Sequence, residues 1–145
     1  MKRKLLAFSA LALLFAVTFA YGVQQVQVRI PATGNVKAIN IGVYSDQACI
    51  NALSSIDWGL LAPGENKSVT FYLKSLSNVN ASLSLSNGNW APSIASSYIS
   101  LSWNRETYHI LPGEVLSAIL TLQVSSSIQG VSSFNFDAIV TAVEV

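Results

Sequence analysis

The chain has one cysteine, one histidine and few charges, and each shortage removes a class of chemistry. With Cys49 alone in 145 residues no internal disulfide can form, so the fold must be held by its apolar core, which this length permits. Cys49 sits between Ala48 and Ile50 and is expected to be a small buried residue, with pairing between molecules as the rival reading. His109 falls just before a Leu-Pro-Gly turn, where a histidine is expected at the surface, and no serine occupies a Gly-x-Ser-x-Gly elbow. The acids Asp46, Asp57, Glu65, Glu106, Glu114, Asp137 and Glu144 are dispersed, without the spacing of a metal site. No metal, no cofactor and no enzymatic activity are therefore expected. So few ionisable groups also predict a shallow dependence of stability on acid.

What is present begins at the N-terminus. Lys2, Arg3 and Lys4 precede an apolar run over residues 5–19, and small residues follow at Ala20 and Gly22, the layout of a secretory signal peptide. As a helix the run is about 22 Å long, short of a hydrocarbon core of about 30 Å, so cleavage is expected over retention as an anchor. Residues 1–22 are read as the leader and residues 23–145 as one exported domain. Without the leader the domain has five basic and seven acidic residues, a net −2. Its cations, Arg29, Lys37, Lys67, Lys74 and Arg105, are scattered singly, which argues against nucleic acid as a partner. Contact with a membrane is expected only during export.

From residue 23 onward the hydrophobic period is two. Val26, Val28 and Ile30 alternate with Gln25, Gln27 and Arg29; Val69, Phe71 and Leu73 alternate with Thr70, Tyr72 and Lys74. The pattern recurs at Leu83 and Leu85, at Ile99, Leu101 and Trp103, at Leu120, Leu122 and Val124, and at Phe134, Phe136, Ala138 and Val140. Further strands are expected over 36–44 and around 56–58, and a weak helical stripe over 46–53. The breakers between them are turn chemistry, including Pro63-Gly64, Asn87-Gly88, Pro112-Gly113 and Gly130. Seven or eight short strands in one domain predict an all-β fold, a single antiparallel β-sandwich of Ig-like or jelly-roll type.

Smaller signals sit on this frame. Ala62-Pro63-Gly64-Glu65 is echoed by Leu111-Pro112-Gly113-Glu114, each ahead of a strand, and is read as one turn used twice. Asn66-Lys67-Ser68 and Asn80-Ala81-Ser82 are N-glycosylation patterns, which on an exported chain makes Asn66 and Asn80 candidate glycan sites at expected loop positions. Trp58, Trp103, Phe71, Phe134 and Phe136 are in phase with strands and are expected in the core. Trp90 lies in the turn-rich Asn87-Gly88-Asn89-Trp90-Ala91-Pro92 and is the candidate contact for a partner or a sugar, against the alternative of a ring folded over the sandwich end. Charged residues are only 10% of the chain and outward positions are rich in Ser, Thr, Asn and Gln, so little self-repulsion opposes close association.

The series Ile41-Gly42-Val43-Tyr44, Ile56-Asp57-Trp58-Gly59, Leu61-Ala62-Pro63-Gly64, Tyr72-Leu73-Lys74, Asn89-Trp90-Ala91-Pro92, Leu101-Ser102-Trp103-Asn104 and Leu111-Pro112-Gly113-Glu114 resembles small secreted archaeal β-sandwich proteins. More distantly it is similar to subunits of archaeal threads and bundling pili and to biofilm-fibre proteins of the camelysin type. The resemblance implies a cell-surface filament subunit that gives an N-terminal strand to its neighbour. The residues offer such a strand: Val26, Val28 and Ile30 alternate at the new N-terminus, ahead of Pro31-Ala32-Thr33-Gly34. It can complete its own sheet or another molecule's. The expectation is a secreted, non-enzymatic structural protein whose partners are further copies of itself or other envelope proteins. The alternative is a monomeric extracellular module that binds glycans or envelope proteins through the Trp90 loop.

Overall fold

Alternation of apolar and hydroxyl side chains makes strands with one wet and one dry face, and seven of them form among the described residues. The computed structural model describes residues 31, 33–35 and 37–145, so the expected leader and residues 23–30 lie outside the described residues. The strands are β1 (Ile41–Tyr44), β2 (Asn66–Ser75), β3 (Ala81–Ala91), β4 (Ile99–Trp103), β5 (His109–Ile110), β6 (Val115–Val124) and β7 (Asn135–Glu144). A short 3-10 helix, Ser93–Ser97, joins β3 to β4. All pairings are antiparallel, in a four-stranded sheet ordered β1-β2-β6-β4 and a three-stranded sheet ordered β5-β3-β7. The two sheets pack as an all-β sandwich within one compact unit, Asn35–Val145.

The core follows from the period. Phe71 and Leu73 of β2, Leu83 of β3, Ile99 of β4 and Leu116, Ala118, Leu120, Leu122 and Val124 of β6 are all buried on inward positions. Each fully buried Leu or Phe contributes about 1.5–3 kcal/mol, and no disulfide supplements them. The opposite faces carry hydroxyls that pair across strands, as where Ser68 and Thr121 share a hydrogen bond of 2.9 Å.

Several elements differ from the sequence reading. Of the described part of the expected 36–44 strand, only Ile41–Tyr44 joins a sheet; residues 37–40 instead run beside the chain after β2. There the Asn40 N–H donates to Ser77 Oγ (2.9 Å) and the Leu76 N–H donates to the Asn40 carbonyl (2.9 Å). The expected strand at 56–58 does not form. Residues 46–53 form no helix, because the Asp46 carboxylate takes the Ile50 and Asn51 N–H groups (3.1 and 2.7 Å) and closes a loop. Cys49 is half-buried in that loop rather than in the core, with φ 54° and its thiol 3.7 Å from the Gln47 carbonyl. Asn87-Gly88, expected as a turn, lies inside β3, where the ladder with β7 shifts register between Gly88 and Ala91. His109 is exposed as expected, but it stands in β5 rather than in a loop.

Candidate functional site

The two long flanks of the sandwich are built differently. On the flank where β4 and β5 are the edges, residues 103–108 tie one sheet to the other. The Asn104 amide side chain accepts the Ile119 N–H of β6 (2.8 Å), while the Leu83 N–H of β3 donates to the Tyr108 carbonyl (2.9 Å) and Thr107 N–H to the Leu83 carbonyl (2.9 Å). The Glu106 carboxylate then takes both the Leu85 N–H (3.1 Å) and the Trp103 indole N–H (2.6 Å). One acid thereby blocks an edge donor of β3 and fixes a tryptophan of β4.

Among the described residues the opposite flank, with β1 and β7 at its edges, is open. A cleft of about 1060 Å³ enters there between residues 53–61 on one wall and residues 131–140 on the other. Its lining reaches the interior of both sheets: Phe71 of β2, Leu85 of β3, and Leu120 and Val124 of β6. The wall at 53–61 is irregular chain pinned by Trp58, which is 8% exposed and whose carbonyl accepts the Lys67 ammonium at 2.6 Å.

Strand β7 forms the other wall with its inward row Phe136, Ala138 and Val140. Ala138 is exposed although it points inward with that row, because nothing among the described residues lies over it. Among the described strands β7 pairs only with β3, so its outer edge has no ladder partner along ten residues. Natural edge strands of this length are ordinarily broken by proline, lysine or a bulge. This one carries Asp137 and Glu144 as its only charges, with Ile139 and Val143 exposed to 43% and 58% on the outward face. Glu144 is paired with Lys37.

The expected site residues that fall among the described residues each have a definite place. Trp90 is the penultimate residue of β3, not a loop tip; its ring stacks on Phe136 at 4.2 Å between centroids, and its indole N–H donates to Asn87 Oδ1 at 2.8 Å. The alternative of a ring folded back is what the geometry gives. Phe134 lies 6.4 Å from Trp90, so the three rings form a cluster at one end of the cleft. Phe134 and Phe136, expected in the core, are half-buried because they face the opening. Asn66 is exposed at the first position of β2 rather than in a loop, and Asn80 is exposed immediately before β3. Val26, Val28 and Ile30 lie outside the described residues.

No group of three His, Cys, Asp or Glu side chains that could hold a metal occurs among the described residues. The acids serve the fold locally. The two Asp46 N–H contacts hold its carboxyl below the ordinary value of 3.8. Glu114 accepts the Tyr108 hydroxyl (2.7 Å), which raises the Tyr108 pKa above 10.0. The cleft itself was missed in the sequence, since alternation reports which face of β7 is apolar and not whether a strand lies beside it.

The fold and cleft define an all-β sandwich that has, among the described residues, one sealed flank and one open flank. Comparison with family models, with curated proteins and with solved structures gives no match.

Proposed function

We propose that the protein is a secreted, non-enzymatic structural component of the cell surface, a filament subunit assembled by strand donation. The single observation that carries this reading is the cleft beside β7, where an unprotected ladder edge and an apolar interior are presented together. An extended segment laid there satisfies the backbone groups of the edge and fills the cleft with alternate side chains. Residues 23–30 have the required pattern and length: eight residues at about 3.3 Å each span about 26 Å, against about 23 Å for the seven residues 134–140 that line the cleft. The neutral, hydroxyl-rich surface supports the same reading, since subunits with little net charge pack closely without repulsion.

Magnitudes explain why the whole strand is needed. Val26, Val28 and Ile30 together gain about 5–9 kcal/mol on burial. Association costs about 4–15 kcal/mol, so the apolar gain alone is marginal and the backbone ladder has to add to it. The glycan or envelope-binding alternative is not favoured by the placement of Trp90, whose ring and N–H are engaged within the chain. Surface exposure of Asn66 and Asn80 is compatible with glycans in an exported filament, and Asn66→Gln and Asn80→Gln are each expected to lower the mass of the native protein by one glycan.

The test is the state of the purified chain. Multimers that survive heat and detergent, and fibres of regular width under the electron microscope, are expected. A monomer at high concentration that binds polysaccharide would instead support the binding module.

A further inference from the structure

We infer that Arg29 of one copy pairs with Asp137 of the next, so that the donated segment runs antiparallel to β7 with Ile30, Val28 and Val26 opposite Phe136, Ala138 and Val140. This deepens the strand-donation reading and rests on it. Three observations lead to it. Asp137 lies on the outward face of β7 beside the cleft, and its carboxylate accepts only the neutral Asn89 amide (2.6 Å) among the described residues, whereas Glu144 already has Lys37. Arg29 is the one charge in residues 23–30, and it lies on the polar face of the alternation with Gln25 and Gln27. The cleft reaches along β7 to Val140, and the most open inward position within it is Ala138.

Direction follows from Pro31. With Arg29 opposite Asp137 in antiparallel sense, Pro31 falls opposite Asn135, the first residue of β7, where a missing N–H breaks no ladder bond. All three apolar side chains then lie over positions 136–140, and Val28 covers Ala138. With the same pair in parallel sense, Pro31 falls opposite Ile139 in mid-strand, where it removes a ladder donor, and Val26 falls at Phe134, outside β7. Val140 would stay uncovered. An exposed ion pair adds little affinity, but a slip of two residues moves Arg29 opposite Asn135 or Ile139 and loses it, so the pair acts on register.

The experiment uses the full chain with Cys49→Ala in two preparations, one with Gln27→Cys and the other with either Ile139→Cys or Asn135→Cys. The preparations are mixed, assembled and oxidised, and linked pairs are read on a non-reducing gel. Positions directly opposite across a ladder are close enough for a disulfide. The expected result is a link from Gln27→Cys to Ile139→Cys and not to Asn135→Cys. A link to Asn135→Cys instead overturns the antiparallel register while leaving strand donation standing. Fibres that form without either link overturn the placement of the strand at β7. In a second arm, Arg29→Asp and Asp137→Arg are each expected to slow assembly about two- to five-fold, with recovery in the double variant. Unchanged rates in both single variants would overturn the pairing.

Discussion

Glu65 and Glu114 act alike from equivalent positions. In each Pro-Gly turn the glutamate N–H donates to the carbonyl of the first residue, Ala62 or Leu111 (3.0 and 3.1 Å). Its carboxylate takes that same residue's N–H in return (2.7 and 2.8 Å). The reciprocal clasp needs the left-handed φ of Gly64 (+83°) and Gly113 (+75°). Gly64→Ala and Gly113→Ala are each expected to cost about 1–2 kcal/mol in chemical denaturation. Gly88→Ala, at a glycine without positive φ and with open space around it, is expected to be neutral or stabilising by up to about 1 kcal/mol. At the same scale, the depressed carboxyl of Asp46 gives the sign of that residue's own contribution to the acid response. A folded pKa below the unfolded one contributes stability at neutral pH that is lost as pH falls below about 4 and through the folded value. The melting temperature is expected to stay level from pH 7 to about pH 4 and then to decline, and Asp46→Asn is expected to flatten that decline.

At the scale of elements, Glu106 decides how one flank is sealed. Glu106→Ala leaves the Leu85 N–H and the Trp103 indole without their acceptor and is expected to cost about 1–3 kcal/mol, read as a shift in the urea midpoint at unchanged slope. The strands that were legible in the sequence are those whose period two is set by burial: β2, β4, β6 and β7 have the inward residues that alternation assigns. The failures have a common cause in tertiary partners. Asn87-Gly88 reads as a turn by local preference, yet pairing with β7 carries β3 through it to Ala91. Residues 56–58 alternate like a strand, but Trp58 is held by burial and by Lys67 instead of by a ladder. His109–Ile110 has too few residues for a period to register and is a strand only because Ala81 and Ser82 lie opposite. The candidate site was legible in one half: the apolar row of the segment with Val26, Val28 and Ile30 is plain in sequence. The cleft depends on which sheet edges share a flank, which no local pattern records.

For the whole molecule, the asymmetry between a sealed flank and an open one is the property from which strand donation is proposed. A sandwich that left this cleft unfilled would keep Leu85, Phe134, Phe136 and Ala138 only partly covered beside a free edge, a combination that invites added strands. The most direct test is to add a synthetic peptide of residues 23–30 to the chain lacking those residues and to record its melting temperature and its state of assembly. The account predicts that the shortened chain stays soluble, melts lower than the parent and forms no fibres. It also predicts that the peptide raises the melting temperature in a saturable way, while a peptide with Val28→Asp does not. Fibres formed by the shortened chain as readily as by the parent, with a melting temperature indifferent to the peptide, would contradict it.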